Sequence, residues 1–119
     1  CPNADILCYG VTELSNVSGD PMLRAVFGGR DSYDREEVRQ FDAPHHVSSA
    51  TPPTFIWHTA DDECVPVRQS YDMALALDHG GVPYELHIFS SGPHASALSA
   101  GLPAQHWPEL ADSFLKRYL

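Results

Sequence analysis

Three short apolar segments stand out in the sequence: DILCYGV at residues 5–11, TFIWH at 54–58 and YELHIF at 84–89. Each is rich in β-branched and aromatic residues, which favours a β-strand. The connections between them are long enough for helices, whereas antiparallel neighbours need only a short hairpin. Strands joined in this way form a parallel sheet with helices packed on it. We therefore predict an α/β fold with about three parallel strands and flanking helices.

Two of the predicted helices have a distinct apolar face. The first follows the second strand and has apolar residues spaced at i, i+4, i+7 and i+8, as expected for the face that packs on the sheet: Val67, Tyr71, Ala74 and Leu75. The second helix covers residues 107–119, where a continuous apolar stripe begins at Trp107. Both helices are predicted to cover the sheet.

Composition excludes several classes of function. Seven basic and 16 acidic residues give a net charge of −9, which excludes a nucleic-acid partner because phosphate binding needs clustered Lys and Arg. No apolar run approaches the roughly 20 residues that span a bilayer, so no membrane partner is expected. The three cysteines form no C-x-x-C pair, which suits a reducing compartment. We expect one domain and a cytoplasmic location, with secretion left open because the chain begins at Cys1.

Polar clusters follow the second and third predicted strands. Asp61, Asp62 and Glu63 follow the second, and the loop that ends in His94 follows the third. Functional groups of parallel sheets collect at the carboxyl ends of the strands, so an acidic residue and His94 are predicted to meet there if the two strands are neighbours. A carboxylate that orients an imidazole suits a general base. In the alternative interpretation, the aspartate caps a helix and the histidine is a solvated loop residue.

A metal site is not expected. The seven histidines are scattered, with no H-E-x-x-H motif and no pair at i, i+4 on one helix. The acidic cluster lacks the alternating ligand spacing of a calcium loop. The sequence therefore predicts neither a metal nor an organic cofactor.

Residues 52–94, from PPTFIWHTADDECVPV to SSGPH, resemble the C-terminal half of α/β-hydrolase-fold serine esterases. The resemblance is to the acetyl-xylan-esterase and dienelactone-hydrolase-like group, also called xylanase-associated esterases. In that family a buried strand ends in H-G-x-x-D-x-x-V-P, whose aspartate is the acid of the catalytic triad, and a histidine about thirty residues later is the base. The resemblance implies that Asp62 and His94 have these roles. Thr59 stands where the family usually has glycine.

The remaining members of the acidic cluster are expected to have other roles. We expect Asp61 to cap a backbone turn and Glu63 to face solvent. An Asp61→Asn protein that lost all activity while Asp62→Asn stayed active would reverse this assignment.

The nucleophile of such hydrolases lies in G-x-S-x-G, and the triad residues follow in the order Ser, Asp, His. No G-x-S-x-G occurs in residues 1–119. The resemblance therefore implies a single partial domain over residues 1–119, the C-terminal half, without the half that bears the nucleophile. We expect the 119-residue chain by itself to be inactive.

The resemblance implies that the whole protein hydrolyses carboxylic esters with short acyl groups, including acetyl groups on polysaccharide, so a small-molecule or carbohydrate ester is the expected partner. Two alternatives remain open. One is a serine peptidase of the same fold. The other is a non-catalytic, degenerate hydrolase fragment that acts as an interaction module and forms a homodimer through the open edge of its first strand.

Overall fold

The computed structural model describes residues 2–16, 20–30 and 32–119. Its three strands form one parallel sheet in the order β1-β2-β3. They are β1 (Asp5–Cys8), β2 (Thr54–Thr59) and β3 (Tyr84–Phe89). The predicted α/β arrangement of three parallel strands with flanking helices is confirmed.

The first strand is shorter than the predicted segment 5–11 because the backbone turns at Tyr9. This residue has φ 41°, in the left-handed region that a bulky side chain seldom adopts. Its amide still donates a hydrogen bond to the carbonyl of Trp57, at 2.9 Å. The chain therefore leaves the sheet directly after β1 at its carboxyl end.

Among the residues that the structure describes, four α-helices connect and follow the strands. They are α1 (Asp20–Val26), α2 (Arg35–Arg39), α3 (Arg68–His79) and α4 (Trp107–Leu115), with short 3-10 turns at Leu14–Asn16 and Ala43–His46. The last helix stops at Leu115, so it is shorter than the predicted stripe to residue 119. None of the helices in the described ranges has the length and apolar character of a membrane span.

The predicted buried face of α3 was right at Ala74 and wrong at Tyr71 and Leu75. Tyr71 and Leu75 are 42% and 56% exposed. The helix instead packs on the sheet through a stripe at i, i+3, i+4 and i+7, formed by Ser70, Met73, Ala74 and Leu77. A serine begins this stripe because its hydroxyl binds a buried histidine of β2, so hydrophobicity alone did not reveal the face.

The core lies on both faces of β2. All six residues of this central strand are buried. Phe55 and Trp57 point toward α4, where they pack against residues that include Phe114. Ile56 points the other way and packs against α3, where Leu77 is fully buried. The buried centre of the sheet fixes the position of the turn that follows β2.

Candidate active site

Two turns meet at the carboxyl end of the sheet. One follows β2 and contains Asp62, and the other follows β3 and contains His94. Because β2 and β3 are paired up to Thr59 and Phe89, both turns leave the sheet at neighbouring positions. Nδ1 of His94 donates a hydrogen bond to Oδ2 of Asp62 at 2.8 Å. The structure therefore brings together the two residues singled out in the sequence.

The carboxylate of Asp62 is buried and accepts four hydrogen bonds. Its Oδ1 accepts from the amides of Cys64 and Val65, at 2.8 and 2.9 Å. Its Oδ2 accepts from His94 and, at 3.2 Å, from Nε2 of His58. Burial raises the pKa of Asp62, but these hydrogen bonds outweigh it, so the pKa is lower than usual. Asp62 is thus a buried carboxylate that stays ionised at neutral pH.

His94 presents its second nitrogen to a surface groove. Its side chain is 28% exposed, and Asp62 holds the proton on Nδ1 because an ionised carboxylate can only accept. The unprotonated Nε2 makes no hydrogen bond to any other residue in the described ranges. The groove has a volume of about 470 Å³ and is lined by Asp61, Glu63, Cys64, Gly92, Pro93 and His94. This geometry leaves one nitrogen free to accept a proton.

A second histidine binds the same carboxylate. Nε2 of the fully buried His58 donates to Asp62 and, at 3.0 Å, to the carbonyl of Val65. These groups only accept, so the His58 proton lies on Nε2. Its Nδ1 accepts a hydrogen bond from Oγ of Ser70 at 2.7 Å. Ser70, His58, Asp62 and His94 therefore form a continuous hydrogen-bonded chain.

Sequence reasoning did not assign a role to His58 or Ser70. His58 was seen only as part of the strand motif, and Ser70 was not among the residues of the predicted buried face of its helix. The available signals were the i, i+4 spacing of His58 and Asp62 and the position of Ser70 three residues before Met73. Both residues act on Asp62 from the interior.

The free energy of unfolding is expected to decrease as the pH is lowered, because of His58. Burial lowers its pKa below the ordinary 6.5, although the Val65 carbonyl and the Asp62 carboxylate raise it. Below pH 6.5 the unfolded chain binds a proton at His58 that the folded chain excludes, so acid favours unfolding. Urea denaturation at pH 7.5 and 5.5 should show that the free energy of unfolding decreases more for the wild type than for His58→Gln. The difference between the two proteins should be at most about 1.4 kcal/mol per pH unit. If the free energy of unfolding of the two proteins changed equally with pH, His58 would not be the cause of the pH dependence.

Tyr9 packs against the exposed histidine. Its ring makes edge contacts with Trp57, at a centroid distance of 4.8 Å, and with His94, at 5.0 Å. The sequence placed Tyr9 inside a strand, so this contact was missed. Tyr9, which has a positive φ, therefore places its ring beside His94.

The other two acids of the cluster differ in their contacts. Oδ1 of Asp61 accepts a hydrogen bond from the amide of Gly92 at 2.9 Å, so Asp61 caps backbone of the neighbouring turn. Glu63 is exposed. Within the described part of the chain, no three His, Cys, Asp or Glu side chains are grouped to hold a metal ion.

Comparisons with known proteins point to hydrolases. Residues 6–119 match the model of the prolyl oligopeptidase family. A curated relative, endo-1,4-beta-xylanase B of Butyrivibrio fibrisolvens, is 33% identical over 98 residues, which are 82% of this chain and 15% of that protein.

Solved structures share the fold. An acetyl ester-xyloside bifunctional hydrolase from Caldicellulosiruptor lactoaceticus has a TM-score of 0.80 and 36% identity, over 98% of this chain and 42% of that one. A carboxylesterase from Lactobacillus plantarum has a TM-score of 0.75 and 31% identity, over 97% of this chain and 44% of that one. The chain thus spans less than half the length of these esterases.

Proposed function

Because the chain belongs to the prolyl oligopeptidase family, whose model matches residues 6–119, we propose that it is the acid- and base-bearing part of a serine hydrolase that cleaves carboxylic esters. The observation that carries the proposal is the 2.8 Å hydrogen bond between Asp62 and His94. It joins a buried carboxylate of lowered pKa to an imidazole whose other nitrogen faces a groove. This is the arrangement that a general base requires.

The nucleophile is proposed to come from polypeptide outside residues 1–119. The solved esterases that the chain resembles are more than twice its length, and the G-x-S-x-G elbow of α/β hydrolases does not occur within the 119 residues. We use the term complete hydrolase for the polypeptide that includes both this serine and residues 1–119.

In the proposed reaction, the serine oxygen attacks the ester carbonyl carbon while Nε2 of His94 accepts the serine proton. The bond between the carbonyl carbon and the alcohol oxygen then breaks, and His94 gives its proton to the departing alcohol. Water attacks the acyl-serine with His94 again as base, which releases the carboxylic acid and restores the serine. Asp62 keeps the proton of resting His94 on Nδ1 and stabilises the imidazolium when it forms.

Short acyl esters are the proposed substrates, with acetyl groups on plant polysaccharide as the natural example. Two findings support this choice. One solved structure of similar fold is an acetyl ester-xyloside hydrolase, and the curated relative is a xylanase.

A serine peptidase is the second candidate, because the matching family model is that of prolyl oligopeptidases. The same acid, base and nucleophile can cleave an amide, so the presence of Asp62 and His94 does not distinguish an esterase from a peptidase. The solved structures favour the ester, since those of similar fold include a carboxylesterase and an acetyl ester hydrolase.

Substrate comparison tests the proposal. The complete hydrolase is expected to release nitrophenol from 4-nitrophenyl acetate and acetate from acetylated xylan, with little action on prolyl peptide nitroanilides. A fluorophosphonate probe should label its serine. The 119-residue chain serves as the control and is expected to show neither hydrolysis nor labelling. Faster cleavage of the peptide than of both esters would favour the peptidase, and no turnover of any substrate would favour an interaction module.

A further inference from the structure

Two further hydrogen bonds join the turns that carry Asp62 and His94. Oγ1 of Thr59 donates to the carbonyl of Gly92 at 2.8 Å. The amide of Gly92 donates to Oδ1 of Asp61 at 2.9 Å. Both polar backbone groups of Gly92, two residues before His94, are therefore bound by side chains from the end of β2 and from the turn that follows it.

Gly92 is also packed closely against Thr59. A Cβ atom at residue 92 would lie 3.1 Å from Cγ2 of Thr59, which is tighter than an ordinary contact. The φ of Gly92 is +155°, a conformation that side chains disfavour. Glycine thus allows the loop to lie directly on Thr59, and the two hydrogen bonds hold it there.

The two contacts differ in their surroundings. Thr59 is 2% exposed and its hydrogen bond to the Gly92 carbonyl is partly buried, so water replaces a lost Thr59 hydroxyl less easily there. Asp61 is exposed, and water can partly replace its carboxylate as an acceptor. The Thr59 contact is therefore the stronger constraint on the loop.

We propose that Thr59 and Asp61 are positioning residues that clamp Gly92 and thereby hold His94 in line with its substrate. The inference rests on the proposed function and deepens it. The two adjacent carboxylates then have different roles. Asp62 binds the ring of His94, and Asp61 binds the backbone two residues before it. A displacement of about 1 Å at a reacting group can lower a rate by about 10²-fold, so a clamp of this kind affects turnover.

The test uses the complete hydrolase and 4-nitrophenyl acetate. Thr59→Val keeps the shape of the side chain and removes the hydroxyl, and it is expected to lower kcat by about tenfold with KM within about twofold. Asp61→Ala is expected to lower kcat by about threefold, because water replaces part of the contact. Thr59→Ser and Asp61→Asn, which keep the donor and the acceptor, should recover most of each loss. Asp78→Asn, on the exposed end of α3, is the unaffected control.

A double variant distinguishes loss of the contact between Thr59 and Gly92 from a general loss of folding. Gly92→Ala should lower kcat because the new Cβ meets Cγ2 of Thr59. Thr59→Ser removes that methyl group, so adding it to Gly92→Ala should recover part of the lost kcat. Recovery supports the clamp, whereas additive losses from the two substitutions contradict it.

A proton NMR measurement separates the clamp from the proposed function. The hydrogen-bonded Nδ1 proton of His94 should give a downfield signal that disappears in Asp62→Asn and broadens in Thr59→Val. If Thr59→Val and Asp61→Ala keep both this signal and kcat while His94→Ala is inactive, the clamp is wrong and the proposed function stands. If His94→Ala keeps full activity, the proposed function is wrong, and the signal in Thr59→Val alone decides whether the clamp positions the ring.

Discussion

Replacement of His94 by alanine in the complete hydrolase is expected to lower kcat for 4-nitrophenyl acetate by about 10⁴-fold, with little change in KM. The substitution removes the nitrogen that accepts the serine proton and later protonates the alcohol. Because the side chain is partly exposed, folding should be preserved, which circular dichroism can check. The change should therefore act on turnover and hardly on stability.

Asp62→Asn is expected to lower kcat by a similar factor, through a change in the protonation of His94. An amide at residue 62 can donate to Nδ1 of His94, which would move the imidazole proton to Nε2 and leave no free base. The asparagine also keeps the volume of the buried side chain. His79→Ala and Asp78→Asn are the matched controls, since both residues are exposed near the end of α3. A His94→Ala or Asp62→Asn enzyme within tenfold of wild-type kcat would rule out the proposed roles.

The meeting of Asp62 and His94 could be predicted because it depends on few features. Two adjacent parallel strands end at the same edge, and each residue lies a short turn beyond its strand. The parallel direction of the strands followed from the apolar segments and the length of the connections, whereas the structure supplied the pairing of β2 with β3. The identity of the acid came from the resemblance, because Asp61 and Asp62 lie only two and three residues after the end of β2 and their position alone does not distinguish them.

The interior partners of Asp62 could not be predicted in the same way. Ser70 reaches His58 only because of how α3 is rotated about its axis, and one residue corresponds to a rotation of about 100°. The apolar residues Tyr71 and Leu75 indicated a different rotation, although the structure exposes both. Packing of Met73 and Leu77 against β2 decided the outcome, and that packing involves residues distant in the sequence.

Tyr9 illustrates a second limit of local reasoning. Its residue type and neighbours favour a strand, yet it adopts a positive φ. The conformation is stabilised by contacts that the local sequence does not contain, with Trp57 and His94. Tertiary interactions thus override the strand preference at the point where the chain turns toward the site.

Trp57→Ala is expected to have the largest effect on stability, a loss of about 3–5 kcal/mol in the free energy of unfolding. The indole is fully buried on the central strand. It stacks on Trp107 of α4 at a centroid distance of 5.3 Å and an angle of 18°, and its edge contacts include Tyr9. An alanine would leave a cavity between the sheet and α4 that these large rings cannot fill without moving.

Urea denaturation of the complete hydrolase, followed by near-ultraviolet circular dichroism, measures this loss. Trp57→Phe should lower the free energy of unfolding by less than Trp57→Ala does, because a ring still fills part of the space. Leu75→Ala is the surface control and should change stability by no more than about 0.5 kcal/mol, since that side chain is 56% exposed. Equal losses for Trp57→Ala and Leu75→Ala would mean that β2 is not the centre of the core. The turn of Asp62 would then lack the rigid support on which its alignment with His94 depends.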